Sequence, residues 1–386
     1  MQNKRKICVV ITARPSYSRV RSALRAIQNH PNLELQLVLA GSALLDRYGK
    51  AADFIIQDGF ESKAKVYMVL EGENPTTMAK TTGLGLMELT NVFYNLQPDA
   101  VISIADRFET IATSIAAAYQ NIPLVHIQGG EVTGNIDEKV RHANTKLADI
   151  HLVSNEEART RVIRLGEDPE MVINTGCPSI DLAKEIEKEK NLGFDPLEKY
   201  GGVGKNIHWK DGYLVVMQHP VTSEYEKARE QIMETLYAVK NSGIPSFWFW
   251  PNVDAGSDGT SNGIRTFREK YSPDNIHFFK NMDSLDFLRL LKHSKMIIGN
   301  SSAGIRECSY LGIPAINIGS RQTRRLKAEN VIDCDYDRNE ILLKIRQLSE
   351  IGHLPSSRIY GNGEAGKKIA NILAEIELKA HKIIQY

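Results

Sequence analysis

The chain is punctuated by short apolar runs that do not alternate with polar residues. "KICVVIT", "LELQLVLAG", "DAVISIA", "PLVHIQG", "DIHLVS" and "MVINTG" are apolar nearly end to end, and helical stretches separate them. Val20, Leu24 and Ile27 share one face of the first such helix, and "ETIATSIAAAYQN" is plainly helical. Strands apolar along their length suit a parallel sheet covered by helices on both faces. Alternation of strand and helix then implies right-handed crossovers and a doubly wound domain.

The alternation weakens between about Asp181 and Asp211, where "EIEKEK" reads as a solvated helix end. "NLGFDPLEKYGGVGKNIHWKDG" is rich in glycine and charge and reads as a linker or surface loop. The pattern then restarts with "YLVVMQHP", "SFWFWPN", "IHFF", "KMIIGNSS" and "PAINIG". A chain of 386 residues is long enough for two domains. The expected fold is α/β, with two doubly wound Rossmann-like domains facing across a cleft, residues 1–185 and 205–365. The last stretch, "EAGKKIANILAEIELKAHKII", reads as one long helix, with 366–386 expected as the C-terminal helical segment.

In open parallel sheets, ligands bind beyond the carboxyl ends of the strands. The residues found there are "ARPSYS", "ADR", "QGGE", "GCPS", "QHP", "PNVDAGS", "GNSSAG" and "GSRQTRR". Nearly all are polar, glycine-rich or ionisable, which points to a nucleotide or phosphosugar site. A formal net charge of +1 argues against a nucleic-acid or membrane-surface binder. The first apolar run is too short for a signal-peptide core or a membrane span. Cys8, Cys177, Cys308 and Cys334 lack metal-type spacing and read as buried small apolar residues. A cytoplasmic protein is expected.

"IIGNSSAGIRE" runs from strand through a Ser/Gly turn into a helix. Ser301, Ser302 and Gly304 there make either a phosphate site at a helix N-terminus or a simple N-cap. No lysine follows as a Walker loop requires, and no strand leads into GxGxxG. Glu307 can accept bonds from both hydroxyls of a ribose, or can be a helix-dipole or surface carboxylate. His219, after "YLVVMQ", can bond a diphosphate. One of Arg321, Arg324 and Arg325 is expected to reach phosphate through its fork of donors.

Arg14, Asp106 and Arg107 follow strands in the first half. "HIQGGEVTGNIDEKVRH" adds Glu131, Asp137, Glu138, Arg141 and His142 where a strand ends and a helix begins. Several carboxylates beside a diphosphate suggest acid/base work on the group it carries. The alternatives are an i,i+4 pair of Asp137 with Arg141 and a buried, satisfied His142. Glu131, directly after two glycines, is harder to explain as structure alone.

With these motifs in order, the chain resembles the UDP-N-acetylglucosamine 2-epimerase family, and most of all its hydrolysing branch, which makes N-acetylmannosamine for sialic acid. "YGKAADFIIQDGF", "DRFET", "HIQGGEVTGNIDEKVRHANTKLA", "GCPS", "QHPVTS", "PNVDAGS", "IGNSSAGIRE", "INIGSRQ" and "RIYGNGEAGKKI" carry the resemblance over nearly the whole chain. It implies a GT-B-type fold whose C-terminal helix packs back on the first domain. It implies chemistry needing no metal or nicotinamide cofactor, and a homodimer or homotetramer. It implies that Arg14, Ser18, His219, Asn252, Ser301, Ser302, Glu307 and Arg321 hold the uridine diphosphate (UDP), and Arg107 joins them. Asp106, Glu131 and Asp137 match the catalytic carboxylates, His219 assists, and Arg141 and His142 are candidates for the sugar. Two departures stand out. Ala105 replaces the family's glycine before Asp106, and "RPSYS" lacks the acidic residue usual near the diphosphate, which leaves the nucleotide and the sugar variant open.

The resemblance implies expulsion of UDP across C1–C2 to give 2-acetamidoglucal, then addition of water with a proton delivered to C2. The competing readings are a non-hydrolysing epimerase, a hydrolysing enzyme for a GDP-linked or 6-deoxy amino sugar, a GT-B glycosyltransferase and an inactive nucleotide-sugar-binding regulator.

Overall fold

A computed structural model of the chain describes residues 4–46, 51–72, 74–104, 107–132, 136–251 and 256–385. Among these the strands form two seven-stranded sheets. The first contains β1 (Arg5–Ile11), β2 (Leu33–Ala40), β3 (Ser62–Val66), β4 (Ala100–Ile104), β5 (Leu124–Ile127), β6 (Ile150–Val153) and β7 (Val172–Asn174). Its order is β3-β2-β1-β4-β5-β6-β7, with every neighbouring pair parallel.

The second contains β8 (Val203–Gly204), β9 (Leu214–Met217), β10 (Ser246–Phe249), β11 (Ile276–Phe279), β12 (Met296–Gly299), β13 (Ala315–Ile318) and β14 (Val331–Cys334). Its order is β14-β13-β12-β9-β10-β11-β8, with β8 antiparallel to β11 and the other neighbours parallel. The two sheets share one plan. From a central strand the chain winds outward to one side, then returns to start the other side. This creates a topological switch point between β1 and β4 and another between β9 and β12, where such sheets bind ligands. Two like-wound α/β units of this kind make the fold GT-B-like.

The chain divides into two compact units, one of Met1–Glu131, Ile136–Leu182 and Tyr360–Tyr386, the other built on Ala183–Ile359. In the first, Val20, Leu24 and Ile27 of the Arg14–Asn29 helix pack on Ile7, Val9 and Ile11 of β1. Each such buried aliphatic side chain contributes about 1.5–3 kcal/mol relative to exposure. Ile369 and Leu373 of the Ala365–Glu375 helix join the same core. That helix crosses the Arg14–Asn29 helix at Gly366, where an added Cβ would lie 2.6 Å from the Ser22 carbonyl carbon. Its free N–H groups at Ala365 and Gly366 donate to the Asp181 carboxylate at 2.9 and 2.7 Å.

Three sequence expectations need correction. The long C-terminal helix stops at Glu375, because Ile376 turns to extended backbone and Arg5 Nη1 caps Leu373 O and Ile376 O at 2.9 and 2.7 Å. The glycine-rich linker holds a short helix, Pro196–Tyr200, capped by Asp195, and the edge strand β8. The helix after β12 is two turns, Ser302–Ile305 and Glu307–Leu311, broken at Arg306 (φ −102°, ψ −69°), whose buried guanidinium reaches back to Ser302 Oγ at 2.7 Å. Among the described residues no helix is long and apolar enough to cross a membrane.

Candidate active site

The second unit's switch point is closed by one side chain. Asn300, fully buried at the end of β12, accepts the His219 backbone N–H on Oδ1 at 2.7 Å. Its Nδ2 donates back to the His219 carbonyl at 2.8 Å. The Asn300 carbonyl in turn accepts from Gln322 Nε2 at 2.9 Å and Arg321 Nη1 at 3.4 Å. The residues after β9, β12 and β13 are thus joined through Asn300. Gly299 makes the approach possible: its φ is +127°, and a Cβ there would stand 2.1 Å from the Met217 carbonyl oxygen.

Around this clamp, Ser301 Oγ accepts the Ala303 N–H as an N-cap. Because the following helical turn has only four residues, the anion attraction expected of a long helix dipole is small here. The local N–H groups and hydroxyls remain. Glu307 is buried, and its Oε2 has no hydrogen-bond partner among the described residues. Of the three arginines, Arg321 reaches the clamp, Arg324 is exposed at φ +62°, and buried Arg325 donates to Gln322 Oε1 at 2.8 Å. Arg325 therefore braces the loop.

In the first unit, Arg14 is the first residue of the helix after β1 and stands 5.5 Å from the Phe54 ring centroid. Pro15 sits in the first turn, where its missing N–H costs nothing. Ser18, half-buried, is one turn further. Arg107 Nε donates to Glu109 Oε1 at 2.8 Å. Sequence reasoning passed over Glu109, although it stands inside "DRFET". It is buried, which no local pattern signals.

Glu131 follows β5 through Gly129 and Gly130. Gly130 has φ +75°, and a Cβ would lie 2.3 Å from the Ala158 carbonyl oxygen, so only glycine allows this turn. Glu131 is 3% exposed. Its Oε1 accepts the Ser154 hydroxyl at 2.7 Å from the end of β6. Its backbone carbonyl accepts Arg141 Nη1 at 2.6 Å. Arg141, fully buried, thereby ties the Ile136–Leu147 helix to the Glu131 turn. Asp137 lies in the first turn of that helix, half-buried. His142 pairs with Glu138 at 3.4 Å and its side chain is 36% exposed, so it is not the satisfied core imidazole that was one expectation. Asp106 and Asn252 lie outside the described residues.

The four cysteines are buried, and burial pushes the Cys8 and Cys334 thiols up to about 12. None of these two is a thiolate near neutral pH. Among the described residues no group of three His, Cys, Asp or Glu side chains could hold a metal ion.

A clamped histidine, serines and an arginine gather where the second sheet reverses, and a buried carboxylate, Glu131, follows β5 of the first: a two-unit α/β protein with polar, ionisable strand ends in each unit. The family model for UDP-N-acetylglucosamine 2-epimerase matches residues 25–374, and the chain belongs to that family. It is 30% identical over 380 residues to the UDP-N,N'-diacetylbacillosamine 2-epimerase (hydrolyzing) of Legionella pneumophila, covering 97% of each chain. It is 34% identical over 342 residues to the polysialic acid biosynthesis protein P7 of Escherichia coli, covering 88% of this chain and 84% of that one. The crystal structure of the Neisseria meningitidis UDP-GlcNAc 2-epimerase bound to UDP-GlcNAc matches the fold with a TM-score of 0.79 at 18% identity. That match covers 96% of this chain and all of the other.

Proposed function

We propose that the protein hydrolyses UDP-N-acetylglucosamine with inversion at C2, releasing N-acetylmannosamine and UDP, and so feeds the synthesis of sialic or related nonulosonic acids. The unit carrying β8–β14 holds the nucleotide and the unit carrying β1–β7 does the sugar chemistry. The protein works without a cofactor, as a homodimer or homotetramer in the cytoplasm.

Carbon 2 has no neighbouring carbonyl to stabilise a carbanion. Breaking the C1–O bond, with its electron pair leaving on UDP, builds positive character at C1 and makes the C2 proton removable. A base takes that proton, and the C1=C2 bond of 2-acetamidoglucal forms. Water then adds its oxygen to C1, and a proton returns to C2 on the opposite face. Asp106, Glu131 and Asp137 handle the protons and position the water. Arg14, Ser18, Arg107, His219, Asn252, Ser301, Ser302 and Arg321 hold the departing diphosphate. Glu307 Oε2, buried without a partner among the described residues, suits a ribose hydroxyl. Arg141 and His142 lie on the sugar side.

The observation that supports the reaction class most is the Glu131 carboxylate, buried yet fixed by Ser154 and seated on a backbone held by Arg141. A relative named as hydrolysing, aligned over 97% of the chain, supports the branch. The same relative favours one second reading, a hydrolysing epimerase for a UDP-sugar with two acetamido groups. Chromatography of UDP released from each donor, with no acceptor added, tests both. UDP from UDP-N-acetylglucosamine supports the first reading. Release only from the diacetamido donor moves the assignment to the second.

A further inference from the structure

The tail beyond the C-terminal helix ends in a built socket. Lys382 Nζ donates to the carbonyls of Thr145 at 2.9 Å and Ala148 at 2.7 Å and pairs with Glu167 Oε2 at 2.5 Å. An ammonium has three N–H donors, and here each has an oxygen acceptor. Glu167 is 2% exposed and also bonds Lys146 at 2.7 Å and His151 at 3.0 Å. Three residues further, the Gln385 N–H donates to the Gly166 carbonyl at 2.9 Å.

Thr145 lies in the last turn of the Ile136–Leu147 helix, and Ala148 directly follows it. Both carbonyls stand at the C-terminal end of the helix, where the Thr145 oxygen otherwise takes only a 3.3 Å bond from the Ala148 N–H among the described residues and the peptide dipoles favour a cation. The same helix carries Asp137 in its first turn and Arg141 on Glu131. Thr145 also bonds the buried His126 ring through Oγ1 at 3.1 Å, just before the Gly129-Gly130 turn. The tail thus grips the far end of the helix whose near end holds the proposed catalytic groups.

We propose that Lys382 is a positioning residue for the 2-epimerase reaction: by closing the C-terminus of the Ile136–Leu147 helix it fixes the seat of Asp137 and of the Glu131 turn. This rests on the function proposed above. A helix of 12 residues is a rigid lever about 18 Å long, so loosening one end displaces the other. Distances of an ångström matter to proton transfer.

The test uses the full-length protein, K382M and K382R, with a chain ending at Lys379 as a second way to remove the grip. K382M keeps the apolar stem and loses the ammonium. Two readouts are taken, hydrogen exchange of the amides in 138–148 and steady-state turnover of UDP-N-acetylglucosamine. K382M and the truncated chain are expected to exchange at least about tenfold faster in 138–148. Their kcat is expected to fall about tenfold, with KM and UDP affinity within about twofold of wild type and K382R recovering most of the rate. Unchanged exchange overturns the grip, whatever the activity. Faster exchange with unchanged kcat, or a kcat loss matched by an equal rise in KM, overturns the positioning role. If wild type fails to turn over this donor, the function reading fails instead, and the exchange arm still decides whether the tail holds the helix.

Discussion

Asn300 and His219 hold each other through two reciprocal hydrogen bonds, 2.7 and 2.8 Å long, across the point where the second sheet reverses its winding. The pairing fixes a histidine backbone between two strand ends, with Arg321 and Gln322 drawn in by the asparagine's own carbonyl. Asn300→Ala leaves the His219 N–H and carbonyl without their buried partner. It should cost about 1–3 kcal/mol of stability and weaken UDP binding at least about tenfold. Urea unfolding and calorimetric titration with UDP measure the two effects. Wild-type affinity in a folded variant would remove Asn300 from the nucleotide site.

Glu131→Gln keeps the shape and the Ser154 contact but removes the charge. Turnover should fall by about 10²–10⁴-fold, the range of general acid/base catalysis, while UDP affinity stays within about twofold. Single-turnover kinetics separate this from a binding defect. A variant that turns over near the wild-type rate would remove Glu131 from the proton chemistry.

Gly366→Ala pushes a methyl group against the Ser22 and Ala23 backbone, 2.6 to 2.8 Å away, where the nearest atoms are main-chain and cannot swing aside. The crossing of the Ala365–Glu375 and Arg14–Asn29 helices should open, costing about 2–4 kcal/mol. Chemical denaturation followed by far-UV circular dichroism measures it. A midpoint within experimental scatter of wild type would show that the crossing contributes little.

Glu167 makes stability depend on acid. Burial pushes its carboxyl up, but hydrogen bonds from His151, Lys146 and Lys382 outweigh that and hold its pKa at about 2, against an ordinary 4.5. The depressed value means that the folded state favours the carboxylate. Its contribution is present above about pH 4.5 and is lost as the pH falls towards 2, on the order of 3 kcal/mol in all. The gap in melting temperature between wild type and Glu167→Gln should therefore be full near pH 6 and shrink steadily below pH 4.5. A gap that does not change with pH would contradict the assignment.

The buried strands were legible because they are apolar on both faces, as in "CVVI" and "AVISI". The edge strands were not. "SKAKV" alternates exposed lysines with partly buried residues, β8 has two residues, and two of the four residues in β14 are exposed. An edge position removes the double burial that marks its neighbours. At the site, the rule that ligand residues follow strands leads directly to Arg14, Glu131, His219, Ser301 and Arg321. The bonds that hold these residues are another matter. Asn300 lies in "GNSSAG" as an ordinary turn residue, yet its partner is His219, 81 positions earlier. Glu109 and Arg141 are charged residues whose burial no local pattern signals, one bonded by Arg107 and one donating to the Glu131 carbonyl. The tail past Glu375 keeps a helical composition, but Arg5 ends the helix and Lys382 finds its acceptors elsewhere.

The central claim is elimination of UDP followed by hydration, with a new proton at C2. A proton NMR time course with UDP-N-acetylglucosamine in deuterated buffer tests it most directly. The account predicts free N-acetylmannosamine carrying deuterium at C2, formed together with UDP. A standing mixture of UDP-N-acetylglucosamine and UDP-N-acetylmannosamine, or N-acetylmannosamine that keeps its original C2 proton, would contradict it.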